Sequence, residues 1–155
     1  MKPTGSAAHN YAVRMAGTNE YLKLLAQVPL FSSCSNRDLQ KIAKAADQIN
    51  IDDEKTLVEQ GAVGHEFFII IEGEADVKRG NRRIATLGPG DHFGELALFD
   101  GGTRTATVTA ASAMSVLVLG QREFAGLIDE VPGLAHKVMC NMAKRIRELD
   151  AKIYP

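Results

Sequence analysis

The feature that most constrains the fold is a regular succession of short strand-like runs separated by glycine turns, from residue 46 to residue 120. The strongest run covers residues 67–71, and residues 74–78 alternate apolar with charged side chains. Similar runs lie at residues 48–51, 56–58, 83–87, 106–110 and 115–119. Many short strands at this spacing are typical of an all-β domain. We therefore predict a mainly β domain with flanking helices, namely an eight-stranded antiparallel β-roll of the jelly-roll-like barrel type.

Helical periodicity brackets the strands on both sides. A helix is predicted from Asn19 to a point before Pro29, and a second one is predicted to start at Ser35 as N-cap. After Gly120 the pattern predicts a helix over residues 121–129 and a long last helix with Pro132 as its first residue. Because the last helix is long for a small barrel to cover, we predict that part of its apolar stripe forms a homodimer contact. The stripe consists of Leu134, Val138, Met142, Ile146, Leu149 and Ile153.

Composition excludes several classes of partner. The formal charge of -1 leaves no basic footprint for nucleic acid or an anionic membrane, and no apolar run approaches the ~20 residues that span a bilayer. Cys34 and Cys140 lie in no metal-type spacing, so we expect reduced thiols in a cytoplasmic protein. Residues 1–14 are predicted to be a leader or disordered segment, and residues 15–155 a single domain.

Residues 93–108 concentrate the groups that could bind a ligand. If a helix starts at Gly94-Glu95, the amides of Leu96 and Ala97 lack intrahelical acceptors and point outward, where an anion would gain hydrogen bonds. Arg104 could hold two phosphate oxygens with its planar guanidinium, while Glu95 could accept a hydroxyl hydrogen. This grouping suits a sugar phosphate. The alternative is an ordinary helix start in which Glu95 and Arg104 form an internal ion pair.

The same residues resemble a known family. FGELALFDGGTRTATVTA is similar to the phosphate-binding cassette of cyclic nucleotide-binding domains, the family of catabolite activator protein and the regulatory subunits of protein kinase A. LVEQGAVGHEFFIIIEGEADV resembles the central strands of that family, and REFAGLIDEVPGLAHKVMCNMAKRI resembles its closing helices. The resemblance extends from about Tyr21 to Leu149. It implies a regulatory module with no catalytic activity of its own, which signals to an unidentified downstream effector through movement of the C-terminal helices.

The resemblance also implies a role for each cassette residue. Glu95 would accept the ribose 2′-OH and Arg104 would neutralise the cyclic phosphate. Backbone amides would come from Gly94, Leu96, Ala97, Thr105 and Ala106. Thr103 stands where the family usually has proline, which frees the loop backbone and implies a less preorganised cassette with a different affinity. A threonine at position 105 resembles cGMP-dependent kinases, yet many bacterial members with serine or threonine there respond to cAMP, so we favour cAMP over cGMP.

A nucleotide base bound in this way needs a cover. Four residues on or just past the last helix are candidates for a base lid: Met142, Ile146, Leu149 and Tyr154. Other chemistry finds little support, because His65 and His92 lack the H-x-H pairing of a metal-binding cupin and no nucleophile–base arrangement is evident. We therefore predict neither a metal nor an enzyme. The alternative to a sensor is a degenerate domain of the same fold that has lost its ligand and serves as an interaction scaffold.

Overall fold

The computed structural model describes residues 19–154, so the predicted leader at residues 1–14 lies outside the described residues. The chain divides into two compact units. We call residues 44–135 the strand unit, and residues 19–43 together with 136–154 the helical unit. The assignment of residues 15–155 to a single domain stays a prediction.

Within the described residues, eight antiparallel strands form two four-stranded sheets in the strand unit. The strands are β1 (Asp47–Ile51), β2 (Thr56–Val58), β3 (Glu66–Glu72), β4 (Ala75–Arg79), β5 (Arg82–Leu87), β6 (His92–Phe93), β7 (Thr107–Ala110) and β8 (Met114–Gly120). One sheet has the order β1-β8-β3-β6 and the other has the order β2-β7-β4-β5. This arrangement confirms the predicted mainly β class with eight antiparallel strands, which here divide between two sheets.

The core of the strand unit is supplied by both sheets. Strands β3 and β8 read as nearly continuous apolar runs, as expected for strands covered on both faces. Phe68, Ile70 and Val116 from their sheet belong to one buried cluster with Val58 and Val108 from the other. Burial of these side chains is the main favourable contribution to folding of the unit.

Strand β6 was not recognisable from periodicity, since two residues cannot display an alternation. It forms by pairing with β3, where Phe93 lies opposite Phe68 and His92 lies opposite Ile69. The rings of Phe68 and Phe93 stack with their centroids 4.8 Å apart. This pairing fixes the chain immediately before the Gly94-Glu95 step.

Three helices follow or interrupt the strands: α3 (Ala97–Asp100), α4 (Gln121–Glu130) and α5 (Leu134–Ile153). The prediction that Pro132 is the first residue of the last helix is wrong. Gly133 has a φ of +80°, in the left-handed region, and therefore lies outside the helix. The Leu134 amide donates to the carbonyl of Val131 in the intervening turn.

The helical unit confirms the predicted capping of its second helix. Helix α1 covers residues 19–27, Pro29–Phe31 forms a 3₁₀ turn, and α2 covers Asn36–Ala45. The amide of Asp38 donates to Ser35 Oγ at 3.1 Å, and the amide of Ser35 donates to Asp38 Oδ2 at 3.3 Å. This reciprocal pair is a capping box with aspartate in place of glutamate.

The long helix α5 is joined to α2 by an ion pair within the helical unit. Lys137 Nζ lies 2.9 Å from Asp38 Oδ2. The hydrogen bond from Lys137 lowers the pKa of Asp38 from its ordinary value, and the Ser35 amide adds to the shift. Cys34 and Cys140 are free thiols. No helix within residues 19–154 has both the length and the apolar character required to cross a bilayer.

Candidate functional site

A pocket of about 570 Å³ opens in the strand unit, a volume within the usual range for small-molecule sites. It contains all seven residues predicted to bind the ligand: Gly94, Glu95, Leu96, Ala97, Arg104, Thr105 and Ala106. The structure thus brings these residues together at one cavity. Their individual roles toward a ligand stay predictions.

The backbone of Arg104 is held by the loop before β3. Its amide donates to the carbonyl of Ala62 at 2.8 Å, and its carbonyl accepts from the amide of Gly61 at 2.8 Å. One residue along, Thr103 bridges to Val63, and the Gly64 amide donates to the carbonyl of Gly102 at 3.1 Å. These contacts position the loop at Thr103, where the family that the sequence resembles usually has proline.

The side chain of Arg104 is nearly buried, with 8% of its surface exposed. Its Nη2 donates to the backbone carbonyl of Glu66 at 2.9 Å and lies 3.6 Å from the Glu66 carboxylate. Its guanidinium carbon lies 5.9 Å from the ring centroid of Phe68, within cation–π range. Burial lowers the pKa of Arg104, and the Glu66 charge opposes that shift. Because a guanidinium remains charged in proteins, the pocket carries a fixed, partly desolvated cation.

The Arg104 side chain occupies space that is free because two neighbouring residues are glycines without side chains. A Cβ on Gly64 would overlap the Nε and Cζ atoms of Arg104. A Cβ on Gly94 would lie 2.6 Å from Arg104 Nη1, and Gly94 has a φ of +84° that favours glycine in any case. Sequence reasoning assigned Gly94 to close approach by a ligand. The structure adds a second requirement, close approach by the arginine itself.

Glu95 also lines the pocket. Its Oε2 lies 3.6 Å from Nδ1 of His92, and its side chain is 13% exposed. The ion-pair partner of Arg104 is Glu66, so the pair between Glu95 and Arg104 that the sequence left open does not form. A carboxylate and a guanidinium, each supported by a separate neighbour, therefore face one cavity.

The predicted helix start is corrected by two residues. Helix α3 begins at Ala97, and Glu95 and Leu96 form a turn before it. The amide of Ala97 donates to the carbonyl of Gly94 at 3.0 Å and is already engaged within that turn. Among residues 19–154, no acceptor is found for the Leu96 amide. The expectation of two outward-pointing amides is therefore wrong for Ala97.

The rest of the pocket is more apolar and was not predicted. Val58, Val77 and Val108 line it from three strands, and Ile84 lines it from β5 while remaining partly exposed. Arg79, at the end of β4, donates from Nε to the carbonyl of Thr105 at 3.2 Å and also lines the pocket. Strand alternation could have indicated Val77 and Val108 as inward-facing. Nothing in the sequence pattern indicates Arg79 or Glu66.

The four candidate lid residues belong to the helical unit, whereas the pocket belongs to the strand unit. Met142, Ile146 and Leu149 lie on α5, and Tyr154 follows its last turn. Tyr154, Ile146 and Leu149 are exposed. Their role as a lid stays a prediction. Within the described residues, no cluster of three histidine, cysteine or acidic side chains could hold a metal ion.

Comparison with known proteins decides the family. The model of the cyclic nucleotide-binding domain matches residues 48–131, more than half of the chain. The chain belongs to the cyclic nucleotide-binding domain family. The matched segment runs from β1 to the residue after α4 and includes every residue that lines the pocket. Cyclic nucleotide-binding domains are regulatory modules, and the match points to no enzyme family.

Relatives of this cyclic nucleotide-binding domain include regulatory proteins from fungi and bacteria. The cAMP-dependent protein kinase regulatory subunit of Mycosarcoma maydis is 35% identical over 126 residues, which cover 76% of this chain and 24% of the subunit. The Cyclic AMP receptor protein of Thermus thermophilus is 32% identical over 104 residues, covering 64% of this chain and 48% of that protein. The chain thus spans about a quarter to about half of the length of these relatives.

A solved structure shares the fold over most of the chain. The N-terminal domain of a transcriptional regulator from Streptomyces coelicolor superposes with a TM-score of 0.78 at 25% identity. The match covers 84% of this chain and 94% of that domain.

Proposed function

We propose that this chain is a cyclic-nucleotide sensor that binds cAMP, with cGMP as the weaker ligand. The observation that carries the proposal is that the buried Arg104 guanidinium and the Glu95 carboxylate line one cavity together with apolar side chains such as Val58, Val77 and Ile84. A cyclic nucleotide matches these groups. Its phosphate is an anion for the guanidinium, its ribose hydroxyl is a donor for the carboxylate, and its base offers an apolar surface to the apolar side chains. The relatives named for cAMP support the choice of nucleotide.

Within this proposal Arg104 neutralises the cyclic phosphate. The guanidinium is already held by the Glu66 carbonyl, so little side-chain entropy is lost when a phosphate binds. Its burial strengthens the attraction, because water screens the pair less than at an exposed site. Glu95 accepts a hydrogen bond from the 2′-OH of the ribose, so the site favours a ligand with a ribose over a simple phosphate.

The proposal places the base against apolar residues that line the cavity, such as Val77 and Ile84. Its outer face needs a cover, and the proposal assigns that cover to the last helix through Met142, Ile146, Leu149 or Tyr154. Methyl resonances of Met142 and Ile146, followed by NMR as cAMP is added, test the assignment. Shifts confined to residues of the strand unit would remove the lid from the proposal.

Isothermal titration calorimetry with cAMP and cGMP tests the function. We expect Arg104→Ala to weaken cAMP binding by about 1.5–3 kcal/mol, the range for hydrogen bonds to charged groups. Arg122→Ala is the matched control, since Arg122 is an exposed arginine on α4 that does not line the pocket. Absence of heat with either nucleotide in the folded wild-type protein would favour the alternative, a domain that has lost its ligand and acts as a scaffold.

A further inference from the structure

Beside the cassette, one buried polar atom has no hydrogen-bond partner among the described residues: Nδ1 of His92. The nearest charged group is Glu95, whose Oε2 lies 3.6 Å away. This separation is too long for a hydrogen bond but short enough for an ion pair. Because buried polar atoms in native proteins are nearly always paired, the unpaired nitrogen calls for a physical explanation.

The position of His92 is fixed by its strand and by one aromatic contact. Its backbone lies opposite Ile69 in the β3–β6 ladder, and its ring packs edge-on against Phe67 at a centroid distance of 5.7 Å. The other acidic groups on the neighbouring elements contact different residues or lie farther along the strand. Glu66 lies against Arg104, Asp91 accepts from the Gly88 amide, and Glu72 stands at the far end of β3. Glu95 is the charged group that contacts the imidazole.

We propose that His92 is a positioning residue for Glu95, and that the domain binds a cyclic nucleotide more tightly when His92 is protonated. The inference rests on the proposed function, since it concerns the carboxylate that would accept the ribose hydroxyl. In the protonated ring Nδ1 is a donor whichever tautomer the neutral ring adopts, and it is buried beside the Glu95 carboxylate. The imidazolium then holds the carboxylate in one orientation.

The charge of the imidazolium favours nucleotide binding, as its orientation of the Glu95 carboxylate does. A cyclic nucleotide brings a negative phosphate into a pocket that already contains the negative Glu95, so an imidazolium beside Glu95 reduces the repulsion. A carboxylate offers about four lone-pair sites on two oxygens, enough for the imidazolium and the ribose hydroxyl together. Neutral His92 carries no charge, and its Nδ1 can donate to Glu95 in only one of its two tautomers.

Under this proposal, nucleotide binding is coupled to protonation of His92. Histidine is the side chain that ordinarily changes charge between pH 5 and 8. Its protonated form binds the nucleotide better under the proposal, so binding takes up protons and the affinity rises as the pH falls through that range. The cyclic phosphodiester stays singly ionised over the same range, so the ligand itself contributes no proton.

Calorimetry of wild-type protein with cAMP between pH 5.5 and 8 tests the inference. We expect the dissociation constant to be about fivefold lower at pH 5.5, at the low end of usual coupling between sites. At pH 6.5, binding heats in buffers of different ionisation enthalpy should reveal proton uptake. His92→Gln, which is polar but does not titrate, should show a flat pH profile and lose most of the uptake.

His65→Gln is the matched control, because His65 contacts Gln121 at 3.1 Å and does not line the pocket. It should keep the wild-type pH profile. If His92→Gln does not fold, His92→Phe keeps a ring against Phe67 and serves in its place. A wild-type profile that is flat, or one that persists in the His92 variant, would overturn the inference while leaving nucleotide binding intact. Absence of binding at every pH would instead contradict the proposed function.

Discussion

Arg104 owes its position in the pocket to the absence of a side chain at Gly64. We expect Gly64→Ala to displace the guanidinium, because the added methyl group would overlap Nε and Cζ of Arg104. The affinity for cAMP should fall by up to the loss expected for Arg104→Ala, about 1.5–3 kcal/mol. Calorimetry measures the affinity, and a thermal unfolding curve for the same sample shows whether the domain remains folded.

Gly88→Ala provides the comparison for that experiment. Gly88 is also a loop glycine of the strand unit, but a Cβ there would meet no atom within 4 Å, so the variant should bind cAMP like the wild type. Equal affinity of Gly64→Ala and Gly88→Ala would show that the guanidinium can bind from another position. It would also contradict the role given to Gly64.

Single residues differ in how far the sequence could identify them. Glu95 and Arg104 stand in a compact motif, so residue type and resemblance were enough to select them. Glu66 contacts Arg104, which is distant along the chain, and His92 lies on a two-residue strand, so no period marks either residue. Gly64 could have been read only as a turn residue. Its function as a space for Arg104 depends on tertiary contact.

At the level of elements, the contact between α2 and α5 predicts an acid-dependent stability. Lys137 lowers the pKa of Asp38, so the ionised carboxylate stabilises the folded state above the ordinary pKa of aspartate. That contribution should disappear as the pH falls below about 4 and through the lowered folded-state value. We expect the melting temperature to fall less steeply between pH 5 and pH 2 in Asp38→Asn than in the wild type.

Asparagine can still accept from the Ser35 amide, so the variant removes the charge while preserving the cap. Asp129→Asn removes an exposed carboxylate on α4 and should keep the wild-type slope. Parallel melting curves for Asp38→Asn and the wild type would show that the Lys137 contact contributes nothing measurable. Thermal unfolding followed by circular dichroism is sufficient for all three proteins.

The helices and strands that were predicted well are long or have recognisable capping and turn residues at their ends. The capping box at Ser35 and the apolar run of β3 are local signals, and both were confirmed. Strand β6 is too short to show any period. Helix α3 starts two residues later than predicted, because the chain first makes a turn after Gly94. Pro132 has the right residue type for a helix start, but the left-handed Gly133 places that start at Leu134.

At the scale of the whole molecule, α5 leaves a large apolar surface exposed. Leu134 and Val138 are buried, whereas Ile146, Leu149 and Ile153 are 62%, 55% and 68% exposed. Together with Met139 and Met142 they recur at alternating intervals of three and four, the seam of a two-stranded coiled coil. We propose that a second copy of the chain covers this seam, since a two-fold axis makes one apolar stripe complementary to itself.

Sedimentation analysis of the wild type and of Ile146→Glu tests the dimer. Burying a glutamate at the centre of the seam, without a cationic partner, is costly enough to favour monomers. We therefore expect a wild-type dimer whose melting temperature rises with protein concentration, and a monomeric variant without that dependence. Lys144→Glu alters charge on the opposite side of the same helix and should remain dimeric. A monomeric wild type at high concentration would contradict self-association, and the exposed seam would then require a different partner.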